Sequence, residues 1–237
     1  MTFIISNVIG GAGGRSIDFE RGSSQFLSMS DANFGAFDRA KFAISVWVKR
    51  ESVSTTQGIF AQYSVSAGNR AFFLSFNGSN QLTFRTNADG TALDGFLATT
   101  ATYASTSSWY HIMVHFDSAN ATAGDRMRLW VNGSEVTSFG TDTNPTAAVV
   151  DSSADMIVGA ENSASGYFDG LIHQAAFFSG SLPAIGDVYD SGPIEDISGV
   201  TGLYSLLDAD GSPINDAVLA SDWTNNNGAV SSAVVPT

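Results

Sequence analysis

The sequence predicts an all-β fold: two antiparallel sheets packed face to face as a β-sandwich or jelly roll. Apolar residues recur at every second position rather than at helical spacing. Asn-Gly pairs stand where alternating runs end, as tight hairpins require. A helical pattern is almost absent, confined to one or two turns over residues 182–189, starting near Pro183. With 237 residues, 43% of them apolar and 14% charged, the chain can bury a core and is too weakly charged for disorder. No linker is legible, so the expectation is one large β domain over residues 1–237.

In the run 41–48, Phe42, Ile44, Val46 and Val48 share one face, Ala43 and Ser45 point the other way, and Trp47 interrupts the polar side. The run 71–76 aligns Phe72, Leu74 and Phe76, and Asn77-Gly78 then turns the chain back into Leu82 and Phe84 as a hairpin. From 110 to 116 the inward set is Tyr110, Ile112, Val114 and Phe116, leaving His111, Met113 and His115 opposite. Met127, Leu129 and Val131 alternate with Arg126, Arg128 and Trp130 before Asn132-Gly133 closes a second turn. A short strand over 156–160 and a long one over 167–178 follow. Segments 99–108, 117–125 and 141–148, rich in Ser, Thr, Gly, Asn and Ala, read as surface loops. Trp47 and Trp109 are expected in the core.

Composition narrows function before any motif does. Acidic residues number 23 against 10 basic ones, a net charge of -13, and the only lysines are Lys41 and Lys49. No basic stripe is left to neutralise phosphates, which argues against nucleic acid or an anionic membrane as partner. The absence of cysteine excludes disulfides, thiolate nucleophiles and Cys-ligated metals. Neither a basic, apolar leader nor an apolar run of about 18 residues occurs, so no signal peptide or membrane span is expected.

Several segments resemble laminin G-like domains of the concanavalin A-like lectin and glucanase superfamily. They are Arg15-Ser-Ile-Asp-Phe-Glu-Arg-Gly-Ser-Ser-Gln-Phe-Leu-Ser-Met, Phe42-Ala-Ile-Ser-Val-Trp-Val-Lys, Trp109-Tyr-His-Ile-Met-Val, Arg128-Leu-Trp-Val-Asn-Gly and Tyr167-Phe-Asp-Gly-Leu-Ile-His-Gln-Ala-Ala-Phe-Phe. The resemblance spans roughly residues 15–182 and implies a sandwich that binds. His173 stands where the family commonly carries an aspartate, so a metal role for that aspartate does not carry over. Gly202-Leu-Tyr-Ser-Leu-Leu-Asp and Asp222-Trp-Thr-Asn-Asn-Asn-Gly look like a segment that usually begins such domains, yet here they end the chain. Residues 200–237 are therefore expected to dock beside the N-terminal strand. The similarity to phage-encoded members implies a virion surface component, a capsid decoration or fibre-type protein able to self-associate, with other virion subunits or glycans as partners. A free carbohydrate-binding adhesin or lectin, extracellular, is the alternative.

Catalysis is not expected. Retaining glycoside hydrolysis needs two carboxylates about 5–5.5 Å apart, which the superfamily's glucanases place on one strand. No strand here does so: Asp151 and Asp155 flank a loop, Asp187 and Asp190 lie near the candidate helical turn, and Glu195-Asp196 sits in a turn-like segment. His111 and His115 share a strand face but stand about 13 Å apart along it, too far to share one metal. His173 is the only other histidine, and no Gly-x-Ser-x-Gly elbow occurs. No cofactor is required. Calcium is the metal that the oxygen donors admit, best at Asp208, Asp210 and Asp216 with Asn215, although the run lacks a full twelve-residue loop and its final glutamate; an ordinary acidic turn is the plainer reading. Candidate sugar platforms are Trp130, Tyr63 and Trp223, with Tyr103 nearby in sequence character, against the larger demand of a two-sheet core for aromatics. Asn77, Asn120 and Asn132 fit the glycosylation sequon but read first as turns.

Overall fold

The computed structural model describes residues 14–64, 70–192, 196–209, 215–219 and 221–236. In chain order, β1 (Ser16–Phe19), β2 (Phe26–Met29), the short helix α1 (Asp31–Phe34), β3 (Lys41–Arg50) and β4 (Gln57–Tyr63) come first. Next are β5 (Arg70–Phe76), β6 (Gln81–Thr86), β7 (Gly95–Thr102), β8 (Trp109–Asp117) and β9 (Met127–Val131). After them run β10 (Ser134–Glu135), β11 (Phe139–Thr143), β12 (Met156–Val158) and β13 (Gly170–Ser179). The last are β14 (Leu203–Asp208), β15 (Asn215–Asp216), β16 (Thr224–Asn226) and β17 (Val230–Ser232).

These strands form two antiparallel sheets. The nine-stranded one runs β10-β9-β8-β3-β13-β1-β17, with β14 and then β15 attached beside β13; the eight-stranded one runs β11-β7-β6-β5-β4-β12-β2-β16. Between them lies the main core, with Phe42, Ile44, Val46, Val48, Ile112, Val114 and Phe116 from one layer meeting Phe60, Phe72, Leu74, Phe84 and Leu97 from the other. Phe42 joins the layers: its ring stacks on Phe116 at 4.9 Å and lies 5.0 Å from Phe72. Full burial of such a side chain stabilises the fold by about 2–3 kcal/mol, which is why the period-two alternation dictates the layering.

β13 changes partner halfway. Its register against β3 shifts between His173 and Ala176, where Gln174 adopts φ 49°, a left-handed conformation that marks a bulge. Before the bulge β13 pairs with β1, and after it with β14. The C-terminal strands reach both sheets: β17 pairs with β1 and β16 with β2. The Ser16 hydroxyl donates to the Val234 carbonyl at 2.6 Å, closing that seam.

Several expectations need correction. The predicted loops over 99–108 and 141–148 begin inside β7 and β11, because Thr-rich segments suit a pleated strand as well as a loop. The predicted helix over 182–189 is a single 3-10 turn, Ile185–Asp187, whose Asp187 carboxylate accepts the Ala184 N–H at 2.8 Å. The α-helix is α1 instead, where the Ser30 hydroxyl oxygen accepts the Asn33 N–H at 3.3 Å. Trp109 is half-buried at the mouth of β8 rather than in the core. Among the described residues, no helix is long and apolar enough to cross a membrane.

The two outer faces differ. Residues 182–192 and 196–200 lie over the nine-stranded sheet, where Val188 and Ile197 pack on Ala43, Met113, Trp130, Ala176, Phe178 and Leu206. Tyr189 stacks on Trp47 at 5.5 Å and on His111 at 5.1 Å. That face is largely covered among the described residues, whereas several side chains on the outer face of the eight-stranded sheet reach solvent.

Candidate functional site

On β5, β6 and β7 the alternation that sends Leu74, Phe84 and Leu97 inward sends Phe73, Arg85 and Phe96 outward. The register sets these three side by side, Phe73 opposite Arg85 and Arg85 opposite Phe96, a row about 10 Å wide at ordinary strand spacing. The Arg85 guanidinium lies between the two rings, 5.0 Å from the Phe73 centroid and 4.4 Å from that of Phe96. Tyr63, at the end of β4, extends the row; its ring meets Phe73 edge-on at 5.0 Å, and Arg70 lies over it at 5.3 Å. Phe73 is buried by its neighbours, whereas Tyr63, Arg70, Arg85 and Phe96 are half-buried and reach solvent.

One side of the row is walled by the loop 159–167. Gly58 on β4 makes room for it, since a Cβ there would collide with the Ala160 carbonyl, and the Gly58 N–H donates to Gly166 O at 2.7 Å. A tight turn holds the loop: the Asn162 amide donates to Ser165 Oγ at 2.9 Å and accepts the Ala164 N–H at 2.9 Å. The Glu161 carboxyl reaches from this loop toward Ser75 and Arg85; burial pushes its pKa up, against the pull of Arg85 and Ser75. Arg85 makes no hydrogen bond or ion pair with a described residue, and its Nε is shielded from water without an acceptor.

Of the platforms picked from sequence, Tyr63 belongs to this row. Trp223 does not serve: it is 2% exposed, packs edge-on against Phe60 at 6.3 Å, and its indole N–H donates to Asp216 at 3.3 Å. Trp130 is 7% exposed on the covered face, 4.5 Å from the His115 ring and capped by Arg128 at 4.8 Å. Tyr103 packs on Phe76 and Tyr110. Phe73, Arg85, Phe96 and Glu161 escaped the sequence reading. The signal for Phe73 was present, since a strand with Phe72, Leu74 and Phe76 inward must carry Phe73 outward; Phe96 lay in a strand not foreseen.

Of the calcium donors named from sequence, Asp210 and the side chains of Asp208 and Asn215 lie outside the described residues. Asp216 is buried and fully engaged: Oδ1 accepts N–H groups of Leu206, Val218 and Leu219 at 3.3, 2.9 and 2.8 Å, while Oδ2 accepts from the Ser205 hydroxyl and Trp223. Its carboxylate ties β14 to the C-terminal strands, leaving no free lone pair for a metal. Among the described residues, carboxylate oxygens converge instead at Asp18, Glu20 and Glu51, within 4.8 Å of one another. Burial and the neighbouring Asp169 raise the pKa of Asp18, and burial with Asp18, Asp169 and Glu20 raises that of Glu51. The site could take a cation, but exposed acids often group this way without one.

Glu161 is the carboxyl beside the row, and among the described residues no second acid couples to it, whereas glycoside hydrolysis needs a pair. Asp151 is ion-paired to Arg39 at 2.5 Å, and Glu195 lies outside the described residues. Ser45 Oγ and His111 Nε2 are hydrogen-bonded at 2.9 Å, the geometry of a nucleophile and its base. Yet His111 is 0% exposed beneath Tyr189, which leaves no room for a substrate, and burial lowers its pKa to about 3. His173 Nδ1 is bound to Arg15 O at 2.9 Å.

A family model described as the concanavalin A-like lectin/glucanases superfamily matches residues 21–184. No protein of curated function matches by sequence. Among solved structures the chain is similar to a Bacteroides ovatus protein provisionally named as carbohydrate binding, with 14% identity, a TM-score of 0.69 and coverage of 94% of this chain and 61% of that one. It therefore spans about three fifths of that protein's length. It is also similar to a heptameric SAP-like pentraxin of Limulus polyphemus, at 14% identity and TM-score 0.60, covering 93% and 95% of the two chains. A third is the CBM40 of the Ruminococcus gnavus IT-sialidase bound to sialyllactose, at 14% identity and TM-score 0.53, covering 72% and 95%. At these identities the likeness is one of fold.

Proposed function

The chain belongs to the concanavalin A-like lectin/glucanase superfamily, and on that footing we propose that it binds glycans without cleaving them, on the outer face of its eight-stranded sheet. The observation that carries this reading is the row in which half-exposed Tyr63, Arg85 and Phe96 are set by the buried Phe73, so that aromatic rings stand next to polar groups as sugar recognition requires. The sugar-binding solved structures of this fold support it. A glycan array with the purified protein tests it: a saturable hit is expected, weakened about tenfold or more by Phe96→Ala or Tyr63→Ala. Saturable binding that neither substitution alters would move the site elsewhere, and release of reducing ends from any bound glycan would make the protein an enzyme.

We further propose a setting on the surface of a virus particle, as a capsid decoration or fibre-type subunit. The acidic, lysine-poor composition supports it, as does the edge at β17, which has no partner strand on its outer side among the described residues and where Val230 is 57% exposed and Val234 48%, suited to self-association or to another subunit. Peptides of this chain in purified particles are the expected result; their absence, with the protein recovered free outside cells, would favour the adhesin instead.

A further inference from the structure

We propose that the outer-face row is specific for sugars bearing a carboxylate, and that Arg85 is the group that receives it. This deepens the glycan-binding reading and rests on it.

A guanidinium is a planar fork of five donors matched to a carboxylate, and it keeps its charge at any working pH. Four other arginines spend such forks on the protein. Arg39 pairs with Asp151 and Asp31, Arg128 with Glu135, Arg50 donates to Gln57, Asn80 and Tyr103, and Arg126 donates to Asn120 and Pro145. Arg85 differs: its plane is fixed by Phe73 and Phe96, yet it holds no acceptor among the described residues. Two rings immobilise it before a ligand arrives, so little side-chain entropy is lost on binding.

Glu161 does not fill the role. It approaches closely enough to feel the charge of Arg85 but forms no ion pair, and burial disfavours its ionised form, leaving the cation incompletely compensated. The Phe96 ring and Tyr63 lie on either side, so an acid group on Arg85 would leave its sugar ring over an aromatic edge. In a chain of net charge -13, ten basic residues are scarce, and two of them, Arg70 and Arg85, fall on this one patch. A neutral sugar would leave the fork without its best partner.

Calorimetric titration of the full chain with matched probes tests this: trigalacturonate against its carboxyl-reduced form, and sialyllactose against lactose. The expected result is that at least one acidic probe binds about tenfold or more tightly than its neutral partner, and that added sodium chloride weakens it. Arg85→Gln should remove that preference, and Arg85→Lys, which keeps the charge but not the fork, should retain only part of it. Both variants are to be checked by thermal melting, since Arg85 also packs between two rings. Equal affinity for acidic and neutral partners, or an acid preference surviving in a folded Arg85→Gln, overturns the assignment while leaving glycan binding intact. Failure of every acidic probe overturns it too, and saturable hits confined to neutral glycans on the array then keep the broader reading, whereas an array without hits ends both.

Discussion

Arg50 is the largest side chain that is fully buried, and no carboxylate faces it. Carbonyl-type oxygens take that place: Gln57 Oε1 accepts from Nε at 3.1 Å, and Tyr103 O and Asn80 Oδ1 accept from Nη1 at 2.7 and 3.1 Å, with the Phe76 ring below at 4.3 Å. Burial lowers its pKa only to about 10, so it stays charged and ties β3 to β4 and to the turn after β7. Arg50→Met would strip Gln57 Oε1 and Tyr103 O of this donor, while Asn80 Oδ1 keeps the Ser54 N–H, a loss of about 2–4 kcal/mol read as a lower urea midpoint; an unchanged midpoint would show that water replaces the guanidinium freely. Asp18, Glu20 and Glu51 pose the opposite case, like charges held together. The raised carboxyl pKa values of Asp18 and Glu51 mean that the native state keeps protons the unfolded chain has released, so stability falls as pH rises from 3.8 and 4.5 through those raised values. In chelator-containing buffer Glu51→Gln is therefore expected to raise the melting temperature at neutral pH and to do little in acid; a drop at neutral pH would refute the repulsion.

At the scale of elements, the loop 159–167 depends on one missing side chain. Gly58→Ala would drive a methyl into the Ala160 carbonyl and lift the loop that places Glu161 against the ligand row, so a lower melting temperature together with altered glycan affinity is expected. A variant that melts and binds like the parent would show the loop to be independent of β4. Strands β3, β5, β8 and β9 were legible in the sequence because their core-facing positions carry large apolar residues at every second place, even where the opposite face is buried as well. β7 and β11 were not: Thr, Gly and Ala break the apolar alternation of β7, and its last three residues and those of β11 reach solvent, where burial imposes no pattern. The site was legible only at Tyr63, because an outward Arg between outward Phe residues on adjacent strands is a property of register. No single run of sequence contains Phe73, Arg85 and Phe96 together. Trp223 and Asp216 misled for the converse reason. Polar flanks suggested a rim, whereas their mutual hydrogen bond lets both be buried where the chain's end returns to the sandwich.

For the molecule as a whole, charge and burial act against each other as pH falls. At neutral pH the net charge of -13 works against compactness, and titration toward the isoelectric point relieves it. The buried histidines oppose this. Burial lowers the pKa of His111 to about 3, and that of His115 to about 4 despite its hydrogen bond to Pro183 O, both from 6.5. A depressed folded-state value leaves stability intact above pH 6.5 and removes it progressively below, because the unfolded chain takes up protons that the native imidazoles refuse. His111 cannot escape by protonating in place, since its Nδ1 is sealed off with no acceptor. The raised carboxyls of Asp18, Glu51, Asp155 and Glu161 pull the other way, so the parent protein's pH profile mixes both signs. His115→Gln separates them: the side-chain amide can still donate to Pro183 O, but it does not titrate. Between pH 6.5 and about 4 the variant should lose less stability than the parent, by on the order of 3 kcal/mol at the acid end, measured as the difference in urea unfolding free energy. Parallel profiles would mean that His115 is protonated in the native state, and the layer that Pro183 and Val188 form over the nine-stranded sheet would then have to open in acid to let the proton in.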